Sequence, residues 1–280
     1  MSIRLEDPNA GVLELNAANG YFITRLDFGY PEVRAVVDSR PLADGTDDRS
    51  RFLGARVVTM ELQTRGDRQT KMDELAPFLA PRNRPFLFFP APEGERRVQL
   101  RPRMRNAAWE GPPERLRMIL QWDAPNGTTE TADLESVLIP AAVPVEPGIA
   151  FDWTFPLVFP AAGTEGATEV DTIGHASCPP VFVMHGPCTN PRIESLTDLR
   201  EDGQPKRLRF DITLGINDTL TVDTRERTVK LNDQFDRYST LDPSVSTWWT
   251  LLPGNNFIRF FPESFIVPSR VTVNYRCQFI

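Results

Sequence analysis

Both histidines of this 280-residue chain, and two of its three cysteines, fall in one short region as His175-x-x-Cys178 and His185-x-x-Cys188. These residue types are ligands of a tetrahedral zinc site. The pairs flank a short apolar strand, Val181 to Met184, set between Pro179, Pro180 and Pro187. Proline lacks the ladder donor and marks strand ends and edges. Side chains along a strand alternate between its two faces, so neighbours there are kept apart. We therefore read His175, Cys178, His185 and Cys188 as structural, with no metal expected. A Ser-His-Asp or Cys-His system would have to use His175 or His185, and neither lies in a Gly-x-Ser-x-Gly elbow. A phosphate-cradling Gly-x-x-x-x-Gly-Lys is absent. The separation of a catalytic carboxylate pair is a tertiary property, and the 38 acidic residues read as solvating charge. The sequence thus predicts no catalytic residue, no cofactor and no enzyme.

Trp248 and Trp249 are adjacent, so in a strand one points inward and the other outward. An outward tryptophan either stacks on a ligand such as a sugar or is covered by protein. We read them as surface or interface residues, with protein cover preferred. Asp44, Asp47 and Asp48 lie in a polar stretch, Pro41 to Ser50, which lacks the oxygen-ligand spacing of a calcium loop and reads as an exposed connection. Arg115, Arg117 and Gln121 share one face of a strand; a solvated face is preferred there to a partner surface. Asn126 and Asn217 match the glycosylation pattern and read as turn residues.

The elements that must position these residues are short strands. The 26 prolines are spread along the chain, which suits many strands joined by turns. Tyr21 to Phe28, Val33 to Val37, Phe52 to Thr64, Pro85 to Phe89, Arg96 to Met104 and Arg115 to Trp122 read as strands. Asp67 is a candidate N-cap for a single short helix with Met72, Leu75 and Leu79 on one face. A Pro/Ala-rich run from Ile139 to Gly148 reads as an extended linker. Beyond it, Phe151 to Phe159, Leu208 to Leu214, a hairpin turning at Asp223 to Arg227, Phe257 to Phe261 and Val271 to Phe279 alternate as in a sandwich or jelly roll. The expected organisation is two mainly β domains, residues 1–142 and 143–280. The net charge of -7 excludes a protein that grips nucleic acid by neutralising phosphates. No stretch approaches the length of a membrane helix, and Met1 to Glu6 lacks an apolar run, so synthesis in a cytoplasm is expected.

Several motifs in succession resemble the distal tail proteins of long-tailed phages with flexible tails. They are Gly29-Tyr30-Pro31-Glu32-Val33-Arg34, Gly45-Thr46-Asp47, Phe52 to Leu62, and Met72 to Leu79 in the first half. In the second half they are Phe155 to Pro160, Cys178 to Ile193, Val222-Asp223-Thr224, Ser246 to Trp249 and Leu252 to Asn256. The resemblance implies an N-terminal β-sandwich or barrel with one covering helix and a C-terminal galectin-like, jelly-roll-like β-sandwich. It implies a structural virion protein at the tail tip, forming a homohexameric ring that joins the tail tube to the baseplate and leaves a channel for DNA. The implied partners are further copies of itself, the tail tube protein, a tail-tip hub protein of the tail-associated lysin type and receptor-binding proteins. Sequence-specific nucleic acid and membrane insertion are not implied. A carbohydrate-binding or receptor-binding tail protein is the alternative.

Overall fold

The computed structural model describes residues 3–39, 46–110, 115–142 and 166–280. Those residues are mainly β and divide into two compact units, Met1–Asp133 with Gln278–Ile280, and Leu134–Cys277.

Two larger antiparallel sheets and a two-stranded ribbon build the first unit. One runs in the order Gly11–Leu15, Ile3–Asp7, Phe86–Ala91, Gly94–Gln99, Thr129–Thr131, Gln278–Phe279; the other runs Tyr21–Phe28, Arg56–Arg65, Arg115–Ala124, Arg101–Glu110. The period of two explains the packing. Val58, Met60 and Leu62 face Met118, Leu120 and Trp122 in register, and all six are buried with Leu5, Leu87 and Val98 in one contiguous core. The helix forms at Arg68–Leu75, with the Asp67 carboxylate accepting from the Thr70 backbone N–H at 2.8 Å. Leu75, with Phe78 and Leu79 of the following 3-10 turn, closes the core, and Tyr21 Oη donates to Glu74 at 2.6 Å.

Part of the polar stretch Pro41 to Ser50 is not a loop. Thr46–Leu53 forms a strand paired with Val33–Ser39 in a two-stranded ribbon; residues 40–45 lie outside the described set. The run Phe52 to Thr64 likewise belongs to two strands, separated at Gly54, where a side chain would meet the Glu32 carbonyl at 3.1 Å. Arg117 does carry an exposed face, paired with Glu61 at 2.7 Å.

Three sheets build the second unit. The six-stranded one runs Glu135–Pro140, Arg270–Tyr275, Val181–His185, Thr219–Asp223, Thr228–Leu231, Phe235–Asp236. The four-stranded one runs Ala167–Thr172, Gly254–Phe260, Arg192–Leu199, Pro205–Arg209, and a small one runs Thr213–Leu214, Cys188–Thr189, Ser264–Phe265. Phe182, Met184, Val222, Val271 and Val273 are buried from the first of these, and Ile193, Leu208, Ile258 and Phe260 from the second. Tyr275 Oη donates to the Asp171 carbonyl at 2.8 Å, tying the two larger sheets together.

The division falls elsewhere than the boundary at 142/143. Ile139 and Pro140 end a paired strand, with Ile139 fully buried opposite Val271. The strand lies at a sheet edge, where the missing N–H of Pro140 costs no ladder bond. Residues 143–148 of the expected linker, and the expected strand Phe151 to Phe159, lie outside the described residues. The run Val271 to Phe279 keeps its buried alternation as far as Cys277 and loses it at Gln278, which is buried as well. Its ladder breaks after Tyr275, however, and Gln278–Phe279 pairs with Thr129–Thr131 in the first unit. No helix among the described residues is long and apolar enough to cross a membrane.

Candidate functional site

The stretch from Cys178 to Ile193 holds the centre of the second unit's large sheet. Val181–His185 pairs on one side with Thr219–Asp223 and on the other with Arg270–Tyr275. Phe182 and Met184 point into the core, while Val181, Val183 and His185 are half-buried on the other face. The chain then turns through a cis Gly186–Pro187 peptide. Gly186 is required by close approach, since a Cβ there would sit 2.1 Å from the Gly215 carbonyl oxygen. Asn190 adopts a left-handed φ of 48°, which its short polar side chain tolerates, and its Nδ2 donates to Glu263 at 2.6 Å.

The four candidate zinc ligands are distributed through this scaffold rather than gathered by it. Cys178 and Cys188 are buried, His175 is exposed, and His185 Nε2 lies 3.4 Å from Thr272 Oγ1. Burial raises the pKa of the Cys188 thiol, which opposes the thiolate a metal needs. Burial, reinforced by the Arg270 charge, lowers the pKa of His185. Among the described residues, no three His, Cys, Asp or Glu side chains converge on a position that could hold a metal.

The tryptophan pair diverges although residues 246–250 form no regular strand. Trp249 is buried against Phe182, with ring centroids 5.0 Å apart. Trp248 is half-buried and stacks on the exposed Tyr238 of the 3-10 turn Tyr238–Thr240, at 6.4 Å and 18° between planes. Protein therefore covers part of Trp248, and an aromatic pair remains at the surface.

Sequence reading missed a third group. On the outer face of the four-stranded sheet, the Glu194 carboxylate is 4% exposed and meets three arginines. Arg259 Nη2 donates to it at 2.7 Å, Arg192 Nε lies 3.0 Å away, and Arg207 Nη1 lies at 4.0 Å. The Arg192 approach is an ion contact without hydrogen-bond alignment, because its Nε has no hydrogen-bond partner. Burial, partly offset by Glu194 but aided by repulsion from Arg207, Arg259 and Arg209, lowers the Arg192 pKa. The signal was present as arginines at alternate positions, Arg207 and Arg209, and as Arg-x-Glu at 192–194. Only the pairing register shows that they meet. A nearby open groove is lined by Leu199, Arg200, Glu201, Asp202, Lys206 and Thr247, and there Lys206 is held by Asp198 at 2.7 Å. Neither region assembles a nucleophile with a base.

Residues 173–279 match the family described as the siphovirus-type tail component, C-terminal domain. Among solved structures, the crystal structure of the SPP1 Dit protein, described as a paradigm of the hub adsorption apparatus in phages infecting Gram-positive hosts, is similar over 100% of both chains. Its TM-score is 0.67 and its identity 13%. A chain of the phage p2 baseplate in its activated conformation with Sr is similar over 100% of this chain and 99% of its own, with a TM-score of 0.52 and 9% identity. The same baseplate with Ca aligns over 99% and 98% at a TM-score of 0.50 and 9% identity. No curated protein matches the chain. The resemblance to distal tail proteins drawn from the sequence is borne out by these findings.

Proposed function

We propose that this chain is a distal tail protein: a structural, non-enzymatic component at the tip of a long phage tail, made in the host cytoplasm and carried on the virion. The observation that carries the reading is the family match over residues 173–279. The full-length likeness in fold to the SPP1 Dit protein supports it.

In this reading the first unit forms a homohexameric ring that continues the tail tube, and the galectin-like second unit stands outside it. The tail tube protein, a tail-tip hub protein and receptor-binding proteins are its neighbours. Two features of the first unit suit ring formation. The Gly11–Leu15 and Tyr21–Phe28 strands end their sheets, and they expose Val12 at 62% and Phe22 at 42%. Open edges with apolar side chains invite pairing with another copy, and closed rotational symmetry leaves none to propagate. A net charge of -7 suits a conduit wall that must let phosphates pass.

Negative-stain images and light scattering of the full chain test this. Rings are expected. A strict monomer at every concentration, with tail tube protein also present, overturns the ring.

The stacked Trp248 and Tyr238 favour one second reading, in which the second unit binds cell-surface carbohydrate on an aromatic platform. Binding of the full chain to a glycan array, abolished by Trp248→Ala, would favour that reading. Binding unchanged by the substitution would remove the platform from it.

A further inference from the structure

The pairing register of the four-stranded sheet lines up a row of side chains across its outer face. Ala167 pairs with Arg259, Arg259 with Glu194, and Glu194 with Arg207. One rung along, Arg192 pairs with Arg209, and the Arg192 carbonyl accepts from the Phe261 N–H at 2.7 Å. Phe261 lies beneath two of the guanidinium groups, Arg192 at 4.7 Å and Arg259 at 5.7 Å from its centroid. The arginine side chains are 26–28% exposed, so the site is neither a solvated fringe nor sealed.

Charge is unbalanced immediately around Glu194, where three guanidinium groups share one carboxylate and leave a local excess of 3 − 1 = 2 positive charges. The Nε atoms of Arg192, Arg207 and Arg259 are all buried without a hydrogen-bond acceptor among the described residues. Gathering like charges at this spacing is unfavourable unless an anion completes the set. Arginine forks are built to take planar oxyanions in pairs of bonds.

We propose that this face docks an acidic segment of a partner protein, whose carboxylates complete the pairing that Glu194 leaves unfinished. The inference goes beyond the ring and does not depend on it. The surroundings select a protein segment over a polyphosphate or nucleic acid. Glu169 and Phe257 pair at the far side of the same face, and Asp211 and Asp242 flank Arg209 at 3.6 and 4.0 Å. That acidic margin repels an extended polyanion, while a few carboxylates on a strand or loop enter between the acids. Arginine set beside the Phe261 ring, with Phe257 exposed in the strand that carries Arg259, is the composition of a protein-binding hot spot.

The test uses the full chain and a synthetic octapeptide of alternating Glu and Thr, with calorimetry at low and at physiological salt. We expect binding that weakens with salt, falls about tenfold or more in an Arg207→Gln/Arg259→Gln double variant, and is unchanged by Arg117→Gln in the first unit. Arg207→Lys keeps the charge but loses the fork, and a weakening of several-fold is expected; it serves should the double variant fail to fold by circular dichroism. Three results overturn the proposal. One is the absence of peptide binding by the wild type. Another is an affinity unmoved by the arginine substitutions while the melting temperature falls, which makes the cluster purely structural. The third is tighter binding of inorganic polyphosphate of equal charge through the same arginines, which makes the face a phosphate site.

Discussion

Several arginines on the first unit's sheets each have a carboxylate of their own, whereas three on the outer face of the second unit's four-stranded sheet share one. Arg97 meets Glu130, Arg103 meets Asp123, Arg117 meets Glu61, and Arg4 is held between Glu6 and Glu95. Arg192, Arg207 and Arg259 crowd around Glu194 alone. Composition does not distinguish the two faces, since both place charge at alternate strand positions. The lesson is one of register. Cross-strand pairing decides whether an arginine finds its own carboxylate or competes for one, and the competing set is the one open to an outside anion.

Four expected outcomes probe this contrast, beginning with the largest. Each unit has its own core, so Trp122→Ala should destabilise the first unit and Phe182→Ala the second, each by about 3–5 kcal/mol. Differential scanning calorimetry of the full chain should show each substitution lowering one transition and sparing the other. A single transition shifted equally by both would mean that the units unfold as one. Next, Glu194→Gln should cost about 3 kcal/mol, because it leaves three crowded guanidinium groups without their buried counter-charge. Glu61→Gln removes only the partner of an exposed Arg117 and should cost less than about 1 kcal/mol. Denaturant midpoints for the two variants measure the contrast directly; equal losses would erase it.

The smallest effect concerns pH. Both histidines, at 175 and 185, lie in the second unit. Burial and Arg270 hold the His185 pKa below its ordinary value, so the unfolded chain binds the proton more readily than the folded one. The stability from a neutral His185 is therefore fully present above the unfolded pKa of about 6.5 and is lost as pH falls from there toward the folded pKa. The second unit's transition should drop over that window while the first unit's holds, and His185→Gln should remove most of the drop. A drop of equal size in the variant would assign it to carboxylates.

Local chemistry made part of this fold legible from the sequence. The helix followed from Asp67 and the spacing of Met72 and Leu75, and the turn Asp223 to Arg227 joins paired strands as its polar residues suggest. Alternation identified the buried faces at Val58 to Leu62 and Val271 to Phe279. Ladder boundaries were less legible. Thr46–Leu53 is polar enough to read as a loop, and Glu135–Pro140 ends in proline inside the run expected to be a linker, yet both pair. Their partners lie elsewhere in the sequence, and an edge strand needs little apolar content of its own. The Glu194 cluster was illegible for the same reason. Three strands contribute to it, and no local pattern records which of their residues stand opposite one another.

The pairing of Gln278–Phe279 with Thr129–Thr131 makes the first unit discontinuous in sequence. Its six-stranded sheet closes on one side only with residues that lie beyond the whole of Leu134–Cys277 in the chain, so a contact of very long sequence separation must form before that unit is whole. Until it forms, Thr129–Thr131 is an open sheet edge, the kind that pairs with other chains. Cutting the chain after Asp133 would therefore leave the first unit without one of its strands.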